Sequence, residues 1–194
     1  MTDPEGRQET YAYDAGERLC RKQDRNGTET TYTYNLYGNL LMRRAKAGEA
    51  GALCESYEYT AEGLLKSAIS AEGMRYSYVH DAMGRLLEKR ASGRTLLSLS
   101  YDANGNLTRQ VDVSGSETQY RYDLIDRVTE VWDNGKQVAG YVYNGDDTVR
   151  SLRCGSLYTE YSYDRDRNLT GLRTVLGEDV WESVFPSTAV VPCT

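Results

Sequence analysis

Few residues in this sequence are of the kinds that make or break bonds. Its 194 residues include four cysteines, one histidine and 17 tyrosines, with 29 acidic and 23 basic side chains. Cys20, Cys54, Cys154 and Cys193 have no C-x-x-C spacing and His80 is the one imidazole, so the closely spaced thiolates and imidazoles of a zinc site are missing. The thiols read either as free groups of a reducing compartment or as one incidental pair. The sequence contains no G-x-S-x-G elbow, no H-E-x-x-H pair and no Walker-type phosphate loop. Adjacent carboxylates such as Asp146 and Asp147 fall in turn-like stretches, where solvation accounts for them. The inventory therefore predicts no catalytic residue, no metal site and no cofactor, and the protein is expected not to be an enzyme.

Charge and hydropathy remove further classes. A formal charge of −6 and a pI near 5 oppose a nucleic-acid footprint, which needs clustered Lys and Arg on a net basic surface. No run approaches the roughly 18 apolar residues of a membrane helix. The polar start Met1-Thr2-Asp3-Pro4-Glu5-Gly6 lacks the basic and apolar regions of a signal peptide. What remains distinctive is the tyrosine content, 17 against a single Phe: rings that bury well while their hydroxyls need partners.

These tyrosines are periodic. Taking the second aromatic of each Y-x-Y pair as an anchor, the anchors are Tyr13, Tyr34, Tyr59, His80, Tyr101, Tyr122, Tyr143 and Tyr163, at successive intervals of 21, 25, 21, 21, 21, 21 and 20 along the chain. Two residues earlier stand Tyr11, Tyr32, Tyr57, Tyr78, Leu99, Tyr120, Tyr141 and Tyr161, so 14 of the 17 tyrosines occupy two slots. Six residues after each anchor comes an aliphatic residue: Leu19, Leu40, Leu65, Leu86, Leu107, Val128, Val149 and Leu169. Gly38, Gly63, Gly84 and Gly105 lie four residues after their anchors, and a second glycine recurs later in each unit, with Asn26-Gly27 and Asn134-Gly135 as short-hairpin signals. The longest unit, between Tyr34 and Tyr59, carries an Ala/Gly-rich insertion from Ala45 to Ala52.

Two turns per unit leave stretches of five to seven residues rich in Thr, Tyr and Val, without the three-and-four spacing of a helix face. The unit is therefore read as a β-hairpin of about 21 residues, with about 16 strands in all. A Y-x-Y pair puts both rings on one face of a strand, and stacked hairpins form an antiparallel sheet with a ladder of aromatic contacts. Because they recur in every unit, the tyrosines are assigned to packing. Asp14, Asp81, Asp102, Asp123 and Asp164, each directly after an anchor, are assigned to turns, where a short carboxylate accepts from the next backbone amides.

The units resemble the RHS-repeat, or YD-repeat, family. Tyr78-Val79-His80-Asp81-Ala82-Met83-Gly84-Arg85-Leu86 and Leu99-Ser100-Tyr101-Asp102-Ala103-Asn104-Gly105-Asn106-Leu107 are similar to its pattern Y-D-x-x-G-[RN]-L, and Glu9-Thr10, Glu29-Thr30 and Glu117-Thr118 precede units as in the family. The resemblance implies an all-β fold in which tandem hairpins form a continuous curved sheet, an open strip of an RHS-type shell. It covers about residues 3 to 177, and the repeat array of about eight units is set at 1–177, leaving a non-repeat tail at 178–194. The family includes bacterial polymorphic toxins, wall-associated proteins, toxin-complex shells and teneurin receptors. The implied function is a structural segment of a larger toxin or cell-surface protein, a wall that encloses or presents a C-terminal cargo. The alternative is a carbohydrate-binding or adhesion module using tyrosine-rich sheet faces. Implied partners are the rest of the shell and its cargo domain, with self-association through exposed strand edges. The implied location of the parent protein is secreted or cell-surface in a bacterium. Asp3-Pro4-Glu5-Gly6 matches the family's Asp-Pro-x-Gly plug element but stands at the wrong end, and Gly6 falls one repeat length before Gly27, so the chain reads as a fragment starting mid-repeat. At the other end the next anchor falls near Val184, where no Tyr stands. Two readings stay open there: a capping strand with Trp181, Val184 and Phe185 followed by disorder, or a truncated or frame-shifted end.

Overall fold

A computed structural model describes residues 8–46 and 53–185. The Asp3-Pro4-Glu5-Gly6 element, Cys193, and the insertion from residue 47 to 52 lie outside the described residues. The chain divides into two units, residues 1–98 and 99–194. The described residues form strands and turns, with no helix.

The first unit runs β1 (Thr10–Tyr13), β2 (Leu19–Gln23), β3 (Glu29–Tyr34), β4 (Leu40–Lys46), β5 (Leu53–Tyr59), β6 (Leu65–Ile69), β7 (Arg75–His80), β8 (Leu86–Ala91) and most of β9 (Arg94–Tyr101). The second continues with β10 (Leu107–Asp112), β11 (Glu117–Tyr122), β12 (Val128–Asp133), β13 (Lys136–Tyr143), β14 (Val149–Cys154), β15 (Leu157–Tyr163), β16 (Leu169–Leu176) and β17 (Asp179–Val184). Within each unit every strand pairs antiparallel with its chain neighbour. The all-β antiparallel hairpin fold agrees with the reading from the repeats. At the end of the array, β17 pairs with β16 and sets Trp181 opposite Thr174.

Two turn types alternate. After each anchor a four-residue turn closes, and its fourth position has positive φ whether or not it is glycine: Gly38, Gly63, Gly84 and Gly105, but also Glu17, Asp126, Asp147 and Arg167. The other turns divide into three classes, one of them the two-residue loops Gly155-Ser156 and Gly177-Glu178 with positive φ at the glycine alone. Asn134-Gly135 and Ser92-Gly93 are two-residue loops with both residues at positive φ, the type I′ geometry that matches strand twist. Asn26-Gly27 differs from its expected short hairpin. Asp24 accepts from the Asn26 and Thr28 amides at 2.9 Å each, and this local cap sets a five-residue loop in which only Gly27 has positive φ.

Each Tyr hairpin carries a β-bulge at one place. The register shifts between Ala12 and Tyr13, Thr33 and Tyr34, Glu58 and Tyr59, Val79 and His80, Arg121 and Tyr122, Val142 and Tyr143, and Ser162 and Tyr163. The residue after the aliphatic slot is the extra one, and each bulge bends its strand and adds local twist.

The register sorts side chains by face. In the second unit one face carries the rows Tyr120–Val131–Ala139 and Tyr141–Leu152–Thr159–Thr174–Trp181. The other carries Arg121–Glu130–Gly140–Arg153–Tyr158 and Val142–Ser151–Glu160–Arg173–Glu182. Among the described residues Ala68 is the one buried apolar side chain, and the tyrosines outside β1 and Tyr37 are half-buried. Ring contacts and backbone ladders therefore hold the hairpins together, in place of a deep core.

Candidate functional site

The arrangement that recurs is a clasp joining one hairpin to the next. Its first part is the residue after the anchor. Asp14 Oδ1 accepts from the Gly16 and Arg18 amides at 2.8 and 3.0 Å, Asp81 from Met83 and Arg85 at 2.9 Å each, and Asp123 from Ile125 and Arg127 at 3.0 Å each. Asp164 accepts from Asp166 and Asn168, and Asp102 from Asn106. Asn35 does the same for Tyr37 and Asn39, so an uncharged amide also serves in this slot.

The second part is the residue five after the anchor, the Arg or Asn of the quoted Y-D-x-x-G-[RN]-L pattern, to which the sequence reading gave no role. Arg18, Arg85 and Arg127 donate from Nε to the Asp of their own turn at 2.8, 2.7 and 2.7 Å. In the first and last of these the guanidinium then reaches into the following hairpin. Arg18 lies 5.2 Å from the Tyr34 ring centre and donates to Asn35 O at 2.9 Å; Arg127 lies 4.4 Å from the Tyr143 ring and donates to Asn144 O at 3.3 Å. Such a stacked cation joins two hairpins through one side chain. Asn106 and Asn168 bond their own Asp as well, and Asn106 also donates to Asp126 at 2.6 Å. The signal was available in the sequence as the Arg or Asn directly before the aliphatic slot.

The third part is the anchor phenol. Tyr34 donates to Leu19 O at 2.8 Å, Tyr59 to Leu40 O at 2.9 Å, Tyr122 to Leu107 O at 2.7 Å, Tyr143 to Val128 O at 2.7 Å and Tyr163 to Val149 O at 3.0 Å. Each acceptor is the aliphatic-slot residue of the preceding hairpin. Burial pushes the phenols of Tyr59, Tyr122, Tyr143 and Tyr163 above their ordinary pKa, which suits neutral donors. Backbone amides of the turn, that of Arg85 foremost, hold the Asp81 carboxyl below its ordinary value, and the Arg18 amide does so for Asp14.

The remaining sequence-selected positions fall around this clasp. Tyr13 stands opposite Leu19 and is largely exposed in β1, and Tyr101 ends β9. The first-slot rings Tyr11, Tyr32, Tyr57, Tyr78, Tyr120, Tyr141 and Tyr161 lie opposite Lys22, Arg43, Ala68, Lys89, Val131, Leu152 and Leu172. Tyr141 and Tyr143 stack with ring centres 6.4 Å apart, but both stand on β13, and the first-slot rings face Lys, Arg and aliphatic side chains across the strands, so the expected cross-strand aromatic ladder is replaced by ring contacts to cations and aliphatics. Leu86 pairs with His80, as Leu65 pairs with Tyr59 and Leu169 with Tyr163. Cys20 is half-buried, Cys54 and Cys154 are exposed, and all three are free.

His80 occupies the anchor slot of the fourth unit beside an open cleft lined by Glu62, Leu64, Asp81, Met83 and Gly84. No hydrogen bond runs from its ring to Leu65 O among the described residues. His80→Tyr should restore that link and raise stability by about 0.5–1 kcal/mol, the net value of one hydrogen bond. Urea unfolding of the full chain measures this, and a destabilised variant would show that the clasp does not transfer to that slot.

Residues 101–138 match the family model for the RHS Repeat. No curated protein matches the chain by sequence. Among solved structures, the crystal structure of TcdB2-TccC3-TEV superposes with a TM-score of 0.72 at 16% identity, over 90% of this chain and 10% of that one. TcdB2-TccC3 without its hypervariable C-terminal region gives 0.66 at 17% identity, over 89% and 11%. The Tc holotoxin pore of Photorhabdus luminescens gives 0.52 at 14%, over 94% and 13%. At these identities the likeness establishes the fold, and the chain spans about a tenth of the length of the solved chains it matches.

Proposed function

We propose that this chain is a wall segment of a larger RHS-repeat shell in a bacterial toxin or surface protein, enclosing or presenting a cargo at the C-terminal side of the parent chain; the RHS Repeat match over residues 101–138 and the fold shared with TcdB2-TccC3 support the reading. The parent is secreted or held at the cell surface, and this segment performs no chemistry. The observation that carries the reading is the clasp. Asp, Arg or Asn, and Tyr recur at fixed places in successive hairpins, the Asp closing its own turn while the anchor Tyr, and Arg18 and Arg127, reach a neighbouring hairpin, which is what a wall requires and what a single reaction centre does not. Stability in such an array is a sum over neighbour contacts, so a longer strip is a stronger one. The partners that follow are the neighbouring shell repeats and the enclosed cargo.

Limited proteolysis of the parent protein tests the proposal. Its C-terminal segment should survive trypsin at concentrations that degrade the same segment expressed alone. Breaking one clasp with Arg127→Ala and Tyr143→Ala together should expose it. Equal digestion of the enclosed and isolated segments would overturn the containment role.

A further inference from the structure

On the charged face of the second unit, the cross-strand row Arg121–Glu130–Gly140–Arg153–Tyr158 has a gap where Gly140 contributes no side chain. The gap opens a pit of about 370 Å³ lined by Glu130, Gln137, Ser151, Arg153 and Tyr158. Its size lies in the range of small-molecule sites. The two acids nearest the row are engaged. Glu130 accepts from Arg121 at 2.9 Å and from the Trp132 indole N–H at 2.8 Å, and Glu160 accepts from the Tyr158 hydroxyl at 3.2 Å and from Arg173 at 3.5 Å. Arg153 is exposed, has no carboxylate partner among the described residues, and lies 5.6 Å from the Tyr158 ring centre. Stacking holds a guanidinium in place while leaving its N–H fork open, and that fork matches a carboxylate bidentately. Counting along the row, Arg121 and Glu130 cancel and Arg153 leaves one positive charge at the pit of a chain whose net charge is −6.

We propose that the Gly140 pit is a binding site for a carboxylate-bearing small ligand, with Arg153 as its charge partner and Gln137 and Ser151 as neutral hydrogen-bonding groups. The ligand carboxylate stands to Arg153 as Glu130 stands to Arg121 one strand pair away, so that the row reads plus, minus, minus, plus, with the Glu130 charge already taken up by Arg121 and the Trp132 indole. This site is independent of the wall function and lies on the opposite sheet face from Tyr120 and Tyr141.

An NMR titration of the uniformly 15N-labelled full chain tests it with three probes: glucuronate, N-acetylglutamate and glucose. The expected result is a saturable shift of the Gly140 and Gln137 amides with a carboxylate probe and none with glucose. Saturation by glucuronate alone identifies an acidic sugar, by N-acetylglutamate alone an acidic peptide side chain, and by both the carboxylate itself. Arg153→Gln should weaken binding tenfold or more, and Arg153→Lys should retain part of it. Gly140→Val, whose side chain fills the pit against the flexible end of Gln137, should abolish binding while the chain keeps its circular dichroism. No saturable shift with either carboxylate, an equal response to glucose, or an Arg153→Gln variant that binds like the parent chain would overturn the proposal.

Discussion

Tyr122→Ala lowers the stability of the full chain by about 2–3 kcal/mol, read as the shift of the urea midpoint, less than the roughly 3–5 kcal/mol of an enclosed aromatic because the ring is half-buried. Two contacts go with the ring: the hydrogen bond to Leu107 O at 2.7 Å, and the packing against Val128 directly across the bulge. Tyr122→Phe separates them. It keeps the ring and removes the donor, so it should cost about 1 kcal/mol, close to the net value of one hydrogen bond. The loss should also be local. In a repeat array each hairpin touches only its neighbours, so hydrogen exchange should rise in β10 to β12 and stay near the parent value in β15 and β16. An Ala variant with the urea midpoint of the parent would mean that the anchor rings are ornamental and that the backbone ladder alone holds the array.

Much of this architecture is visible before any coordinates, and the parts that are not share a physical reason. The Y-x-Y slots and the aliphatic six residues on repeat eight times, and repetition separates a pattern from chance where one hairpin could not. The strands that begin at Leu19, Leu40, Leu65, Leu86, Leu107, Val128, Val149 and Leu169 each start on that slot. The bulges left no such mark, because the extra residues Cys20, Leu41, Lys66, Leu87, Thr129, Arg150 and Thr170 share no chemistry. A bulge is set by backbone register, and backbone register has no side-chain signature of its own. The same holds for positive φ at Glu17, Asp126, Asp147 and Arg167, where neighbours enforce a conformation that glycine would take freely.

The clasp was half legible. Asp after the anchor announces a turn by its type, and its partners are two and four residues away. Arg18 and Arg127 instead meet the rings of Tyr34 and Tyr143, each a full hairpin further along, and only the stacked sheet brings these together. Asn134-Gly135 and Asn26-Gly27 make the complementary point. The same dipeptide gives a two-residue loop in one place and a five-residue loop in the other, because Asp24 caps its own loop while Asn134 turns its side chain outward, accepting from the Glu117 amide at 2.9 Å.

Acid should loosen the array at its turns. Eleven carboxyls among the described residues, Glu9, Asp14, Glu62, Glu72, Asp81, Glu88, Asp102, Asp112, Glu117, Asp123 and Asp146, are held below their ordinary pKa. For Asp14 and Asp81 the largest cause is a backbone amide of the turn; for Asp123, burial opposes the shift and the Arg127 amide and guanidinium overcome it. A carboxyl whose folded pKa lies below its unfolded value stabilises the fold above the unfolded pKa, and that contribution disappears as pH falls through the folded one. The thermal midpoint of the full chain should therefore change little from pH 7 to about pH 5 and fall progressively below it. Replacing Asp14, Asp81, Asp102, Asp112 and Asp123 together by Asn should remove roughly half of that slope, since five of the eleven shifted groups are gone. The variant should still fold at pH 7, because Asn35 already caps its turn through Oδ1 with the Tyr37 and Asn39 amides at 3.0 and 2.9 Å. An unchanged slope in the Asn variant would place the acid sensitivity on the cross-strand Glu–Arg pairs, such as Arg109–Glu117 at 2.6 Å, and not on the turns. Raising ionic strength separates the two sources, because exposed ion pairs are screened by salt whereas an acceptor held by backbone amides within its own turn is much less so.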